Sequence, residues 1–202
     1  MKIYITRHGK TDWNVEGRMQ GSKNSNLTEE GKKEALNLRN SLESTKIDYI
    51  YTSPLSRAYD TALIIKGDKD IPLEICENLK EMNFGVWEGM YNDDVLKDYK
   101  DEHYKFWNEP HLYIPTDGET FDELIKRVKI TLDDIVDKNK GENILLVTHA
   151  IVIKAIYAII KGYELKDFWN PPFIKNTCVT ILECNEYKYD FILEADTSHV
   201  EN

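Results

Sequence analysis

The sequence predicts an α/β protein built on a mainly parallel sheet, and two observations carry that prediction. Short β-rich runs alternate along the chain with longer segments of helical period, the order expected when helices connect parallel strands. One of the runs, Asn143-Ile144-Leu145-Leu146-Val147, is almost wholly apolar, as a strand covered on both faces should be.

Taken in order, Lys2-Ile3-Tyr4-Ile5-Thr6 reads as the first strand. Thr28 opens a helix with Glu29 and Glu30 in its first turn, where negative charge suits the helix dipole, and Ala35, Leu38 and Leu42 mark its inner face. Tyr49-Ile50-Tyr51-Thr52 is the second strand. The next helix is expected over 54–65, with Pro54 at its first position, where a missing N–H costs nothing, and a stop at Lys66-Gly67-Asp68. The stretch 91–116 keeps neither period. There Tyr99, Tyr104, Phe106, Trp107 and Tyr113 mix with charges, and Pro110 and Pro115 interrupt. Beyond it, Phe121, Leu124, Ile125, Val128, Leu132, Ile135 and Val136 recur at helical spacing behind a capping box, Thr120-x-x-Glu123, and Gly141 ends that unit. A helix over 150–161 stops at Gly162, and 178–183 and 190–194 read as late strands pairing in a hairpin.

The bulk properties narrow the function. A chain of 202 residues with 41% hydrophobic content suits one domain over 1–202. Its formal charge of −10 repels duplex nucleic acid, so no nucleic acid partner is expected. No apolar stretch approaches the roughly 20 residues that span a bilayer, and no signal-peptide core precedes the first strand, so no membrane association is expected. Cys76, Cys178 and Cys184 form no C-x-x-C pair and are expected as reduced thiols in the cytoplasm. A small anionic substrate would need a local cationic pocket to prevail over this acidic background.

Such a pocket is spelled out at the predicted strand ends. Arg7-His8-Gly9 follows the first strand, Ser53-Pro54-Leu55-Ser56-Arg57 the second, and Thr148-His149-Ala150 the apolar run. In a parallel sheet ligands bind beyond the carboxyl ends of strands, so His8, Arg57 and His149 should converge although distant in sequence. Arginine forks match phosphate oxygens, and the amides at the start of the second helix would add donors. Two histidines and a glutamate can also hold zinc. The chain nonetheless has no H-E-x-x-H and no cysteine set, and arginines in the pocket repel cations, so no metal site is expected. His103, His111 and His199 are expected to be solvated and inert.

The run Arg7-His8-Gly9-Lys10-Thr11-Asp12-Trp13-Asn14, together with the segments 53–58, 79–89 and 148–150, resembles the histidine phosphatase (phosphoglycerate mutase-like) superfamily. The resemblance implies a three-layer α/β/α sandwich with an insert, here about 91–116, over the active site. It implies a phosphomonoesterase acting on a small phosphate ester without a cofactor. His8 would be the nucleophile that becomes phosphohistidine, and His149 would stabilise the transferring group, either protonated or as a neutral donor. Arg7, Arg57 and Asn14 would bind the phosphate, and a loop with Gly17, Gln20 and Gly21 would close over it, with an N–H of Gln20 or Gly21 as a contact. Glu81 would be the general acid and base, with Glu88 and Glu119 as alternatives. The insert aromatics are read as fastening the insert, with one or two touching substrate. Two departures stand out. Lys10 occupies a position where relatives carry Glu or Gln, so it either attracts a second anionic group or faces solvent. Asn26 replaces a frequent Pro.

Two other readings remain: a cofactor-dependent phosphoglycerate mutase, which shares these residues, and an inactive phospho-ligand binding protein. Substrate and oligomeric state stay open. Sugar phosphates, phosphoglycerates, fructose-2,6-bisphosphate and α-ribazole phosphate are all candidate substrates.

Overall fold

A computed structural model describes residues 1–139 and 142–200; the expected stop at Gly141 lies outside the described residues. Six strands form one sheet in the order β3-β2-β4-β1-β5-β6: β1 Lys2–Arg7, β2 Tyr49–Thr52, β3 Leu73–Ile75, β4 Ile144–Thr148, β5 Val179–Asn185 and β6 Lys188–Asp196. The first four run parallel, and β5 and β6 add an antiparallel hairpin on the edge next to β1.

Strand alternation sorts the core into two layers, because successive side chains point to opposite faces. Ile3, Ile5, Tyr51, Ile144 and Leu146 face α6 (Phe121–Lys138) and α7 (Ala150–Lys161). Tyr4, Ile50, Leu145 and Val147 face α2 (Glu29–Ser41) and α3 (Ser56–Lys66). The result is the three-layer α/β/α sandwich with a mainly parallel sheet.

The helix boundaries follow local chemistry. The Thr28 hydroxyl accepts from the Gly31 N–H at the start of α2. Thr120 and Glu123 complete both halves of a capping box on α6. α7 closes on Gly162 in the left-handed conformation, φ 66°. The third helix corrects the expected boundary. Leu55 is extended, φ −67° and ψ 131°, and α3 begins at Ser56 rather than Pro54. The Leu55 N–H is taken by Ser53 Oγ, and that of Ser56 by Asn24 Oδ1. The chain therefore turns into the helix two residues late, and that first amide is already engaged. Arg57 still falls in the first turn.

Outside 91–116, one strand and one α-helix had no counterpart in the sequence reading: the three-residue β3, and α1 (Asp12–Glu16), a single turn boxed by Thr11 and Asn14. The stretch 91–116 also turns out more regular than expected. It forms α4 (Asn92–Asp98), α5 (Lys100–Asn108) and a 3-10 turn at Pro110–Leu112. Phe106 and Tyr113 are buried and pack on Trp87 and Phe121, so these aromatics fasten the insert to the core. Tyr104 and Trp107 stay substantially exposed. His103 is not the solvated residue anticipated. It lies against Trp87 and Trp107 with its Nε2 buried, because it shares the α5 face that carries Phe106.

Candidate active site

Strand register assembles the site. Arg7 lies opposite Thr148, and Thr52 opposite Val147, so the residues just past β1, β4 and β2 emerge side by side at one sheet edge. The His8 N–H continues the ladder to the Thr148 carbonyl, and the Ser53 N–H does the same to Val147. His8 and His149 consequently meet, with ring centroids 5.2 Å apart. Gly9 is required by contact rather than by conformational freedom, since a side chain there would strike the backbone of Gly31 in α2. Its N–H donates to Thr61 Oγ1, which in turn donates to the Arg57 carbonyl.

These residues open onto a cavity of about 480 Å³. Its inner end is formed by Arg7, His8, Asn14, Gln20, Gly21, Arg57 and Glu81. His149 stands behind His8 and is fully buried. Of the eight residues singled out from the sequence, seven line the cavity and the eighth packs directly against its floor.

The hydrogen bonds define the state of His8. Its Nδ1 is 2.8 Å from the Gly9 carbonyl, which can only accept, so the proton sits on Nδ1. Its Nε2 then carries a lone pair, which accepts from Arg57 Nε at 3.3 Å. Burial, followed by the nearby Arg57 and Arg7 charges, holds the His8 pKa well below the ordinary imidazole range. His149 is held well below that range as well, by burial and then by Arg57 and His8. Both rings are neutral at physiological pH. The His149 Nε2 pairs with Ser53 Oγ at 2.8 Å. Its buried Nδ1 and the buried Nε of Arg7 have no hydrogen-bond partner among the described residues.

The cations are anchored by backbone. Arg57 donates to the carbonyls of Gly21 (2.7 Å) and Lys23 (2.6 Å), which ties the 20s loop to α3. Burial lowers its pKa to about 10, still charged at neutral pH, and Glu81 partly offsets that lowering. Arg7 donates to the Ile174 carbonyl at 2.9 Å. Asn14 uses its Oδ1 to cap Thr11, which leaves its amide nitrogen as the group it can offer the cavity. Gly21, at φ +54°, lies where any side chain would collide with the Glu88 carboxylate. Gln20 is held by the Ser25 hydroxyl. Lys10 does not reach the cavity; it pairs with Glu30 at 2.8 Å.

The structure separates the three glutamates. Only Glu81 lines the cavity beside His8. Its oxygens accept from the N–H groups of Met82 and Ile151, and burial raises its pKa against those bonds and the arginines. The Leu79 carbonyl accepts from Thr148 Oγ1 and fastens this segment to the end of β4. Glu88 is committed to Ser22 and the Phe84 N–H, and Glu119 to a forked pair with Arg127. Among the described residues no three His, Cys, Asp or Glu side chains group as a metal's ligands would. No described helix is long and apolar enough to cross a membrane.

The outer wall was anticipated only in part: the insert reading covered Phe106 and Trp107 from α5, but not Trp169 and Phe173 from the segment after α7, nor Lys154 from α7 itself. The segment 163–177 has no period and no motif that would have flagged it. Lys154 did have a signal, as the one charge within Ala150-Ile151-Val152-Ile153-Lys154-Ala155-Ile156.

Known proteins resemble this chain over nearly its whole length. The model of the histidine phosphatase superfamily (branch 1) matches residues 3–197. The chain is 32% identical to phosphoserine phosphatase 1 of Hydrogenobacter thermophilus, over 84% of this chain and 81% of that protein. It is 33% identical to the metal-independent phosphoserine phosphatase of Arabidopsis thaliana, over 98% of this chain and 83% of that one. The solved structure of YhfR from Bacillus stearothermophilus has a TM-score of 0.96 at 40% identity, over 98% of each chain.

Proposed function

This chain belongs to the histidine phosphatase superfamily, and from its site we propose that it hydrolyses small phosphate monoesters through a phosphohistidine on His8. The observation that carries the reading is the protonation state of that ring: a buried imidazole with its proton committed to the Gly9 carbonyl and a lone pair on Nε2, between two arginines. A nucleophile must be unprotonated at the attacking atom, and a phosphoryl group needs fixed positive charge around it.

In the first step the Nε2 lone pair attacks phosphorus, the P–O ester bond breaks, and the leaving alkoxide takes a proton from Glu81. The raised pKa of Glu81 suits an acid that must hold its proton near neutral pH. In the second step water attacks phosphorus and gives its proton to Glu81, and the P–N bond breaks with its electron pair returning to Nε2. Arg7 and Arg57 bind the phosphoryl oxygens. His149 serves as a neutral donor through Nδ1, the atom without a partner, in the tautomer whose Nε2 accepts from the Ser53 hydroxyl. Asn14, Gln20 and Gly21 complete the phosphate cradle.

The relatives named as phosphatases support hydrolysis, and the mutase reading has less support. The same reading takes 1–202 as one domain with 91–116 as its insert, in keeping with a family match over 3–197. The three free thiols support a cytoplasmic setting. The test is to trap the intermediate. Acid-labile, base-stable phosphate should form on the wild type and be missing from a folded His8→Ala protein, with turnover falling to background. Substantial turnover by folded His8→Ala would sink the mechanism.

A further inference from the structure

The phosphate machinery accounts for the inner end of the cavity and leaves one buried cation on its wall unexplained. Lys154 sits three residues beyond Ile151, whose N–H holds Glu81, and so on the same face of α7. It is 4% exposed. Its Nζ donates to the carbonyls of Asn170 and Pro172, which uses two of three N–H donors. No carboxylate pairs with it among the described residues, and the charge that acts on it is another cation, Lys161. A buried ammonium without a counter-charge is costly, and Met or Leu would fill the same space at no such cost. Arg18, also on the wall, is already paired with Glu16 and stacked on Tyr91.

We propose that Lys154 is a specificity-determining residue that binds a carboxylate on the leaving group, so that the substrate is a phosphorylated hydroxy acid seated with its phosphate at His8 and its carboxylate at Lys154. The inference rests on the phosphatase reading. One ammonium among aromatic side chains matches a single negative charge. A second phosphate would bring about −1.5 to −2 charges to a place without the paired arginine forks found at the inner end. The bland rival is a latch: through the same two carbonyls Lys154 would merely fasten the segment that carries Trp169 and Phe173.

Two esters separate these roles. 3-Phosphoglycerate and glycerol 3-phosphate share the phosphate and the three-carbon skeleton, and differ in carboxylate against hydroxymethyl. The wild type should prefer the first in kcat/KM. Lys154→Met should reduce that preference about tenfold to a hundredfold, chiefly through KM, as expected for loss of a charge-assisted hydrogen bond. Lys154→Arg should keep part of the preference. Equal losses on both esters in Lys154→Met would leave only the latch and overturn the proposal, as would a wild type indifferent to the carboxylate. Should the variants not fold, the wild type still decides. Burial and Lys161 bring Lys154 to about 8, and both phosphates are fully ionised well below that. The preference should therefore fade as pH rises through about 8, and a ratio that stays flat overturns the proposal. A wild type that hydrolyses no phosphate ester, whether alkyl or aryl, fails the phosphatase reading itself, and this inference with it.

Discussion

The two ends of the cavity are built in different ways. The inner end is built around His8 and His149, one step past β1 and β4, and Arg57 in the first turn of α3, so sheet register and backbone bonds fix them, and all three are nearly inaccessible. The outer end comes from α5 and the segment after α7, on aromatic side chains that remain partly open: Trp107 is 42% exposed and Phe173 79%. The contrast sorts function. On the proposed mechanism the rigid end meets the phosphoryl group, which every substrate shares, while the open end meets the leaving group, in which substrates differ.

Glu81 stands at the boundary and gives the largest expected effect. Glu81→Gln keeps shape and hydrogen bonding but cannot deliver a proton. Loss of a general acid typically costs 10²–10⁴-fold, and it should appear with an alkyl phosphate while an aryl phosphate, whose leaving group departs unaided, is largely spared. The measurement is the loss in kcat/KM for each ester in the phosphoryl-transfer step. Equal losses on both would remove Glu81 from the acid's role.

Arg57 lies wholly within the rigid end and should show the opposite pattern. Arg57→Ala removes charge from the phosphoryl oxygens and also releases the Gly21 and Lys23 carbonyls. A loss of about 10²–10³ in kcat/KM is expected, the scale for removing one preorganised donor, and it should be the same for alkyl and aryl esters. A loss that depended on the leaving group would break the division between the two ends.

Legibility in the sequence follows the same division. His8, Arg57 and His149 each follow a strand of clear pattern, so the sequence alone could bring them together. Reasons were harder to read than positions: Gly9 is needed for its contact with Gly31, which lies further along the chain in α2 and is brought against it only once that helix is in place. The resemblance already pointed to Glu81, but the reason Glu88 and Glu119 stand aside, their engagement by Ser22 and Arg127, appears only in the fold. The part of the open end beyond the insert left little trace, because Trp169 and Phe173 reach the cavity on an irregular segment with no period to detect. The late start of α3 was hidden for a similar reason, since it turns on the side chain of Asn24.

The smallest expected effect tests the open end through two neighbours on α5. Phe106 is fully buried and packs on Trp87, Tyr113 and Phe121, whereas Trp107 lies over Trp169 with centroids 4.7 Å apart and one face toward solvent. Phe106→Ala should leave a cavity in the core and reduce stability by about 3–5 kcal/mol, read as an earlier urea midpoint at unchanged slope. Trp107→Ala removes a half-exposed side chain, so stability should shift by less than about 1.5 kcal/mol. Its effect should appear in KM instead, at most about tenfold, growing with the size of the leaving group and leaving kcat for a small ester intact. A wall of the open end contributes binding energy alike to ground and transition states, which changes KM without changing the chemical step. A fall in kcat for the small ester would mean that Trp107 also shapes the phosphoryl site, and the two ends would then be one.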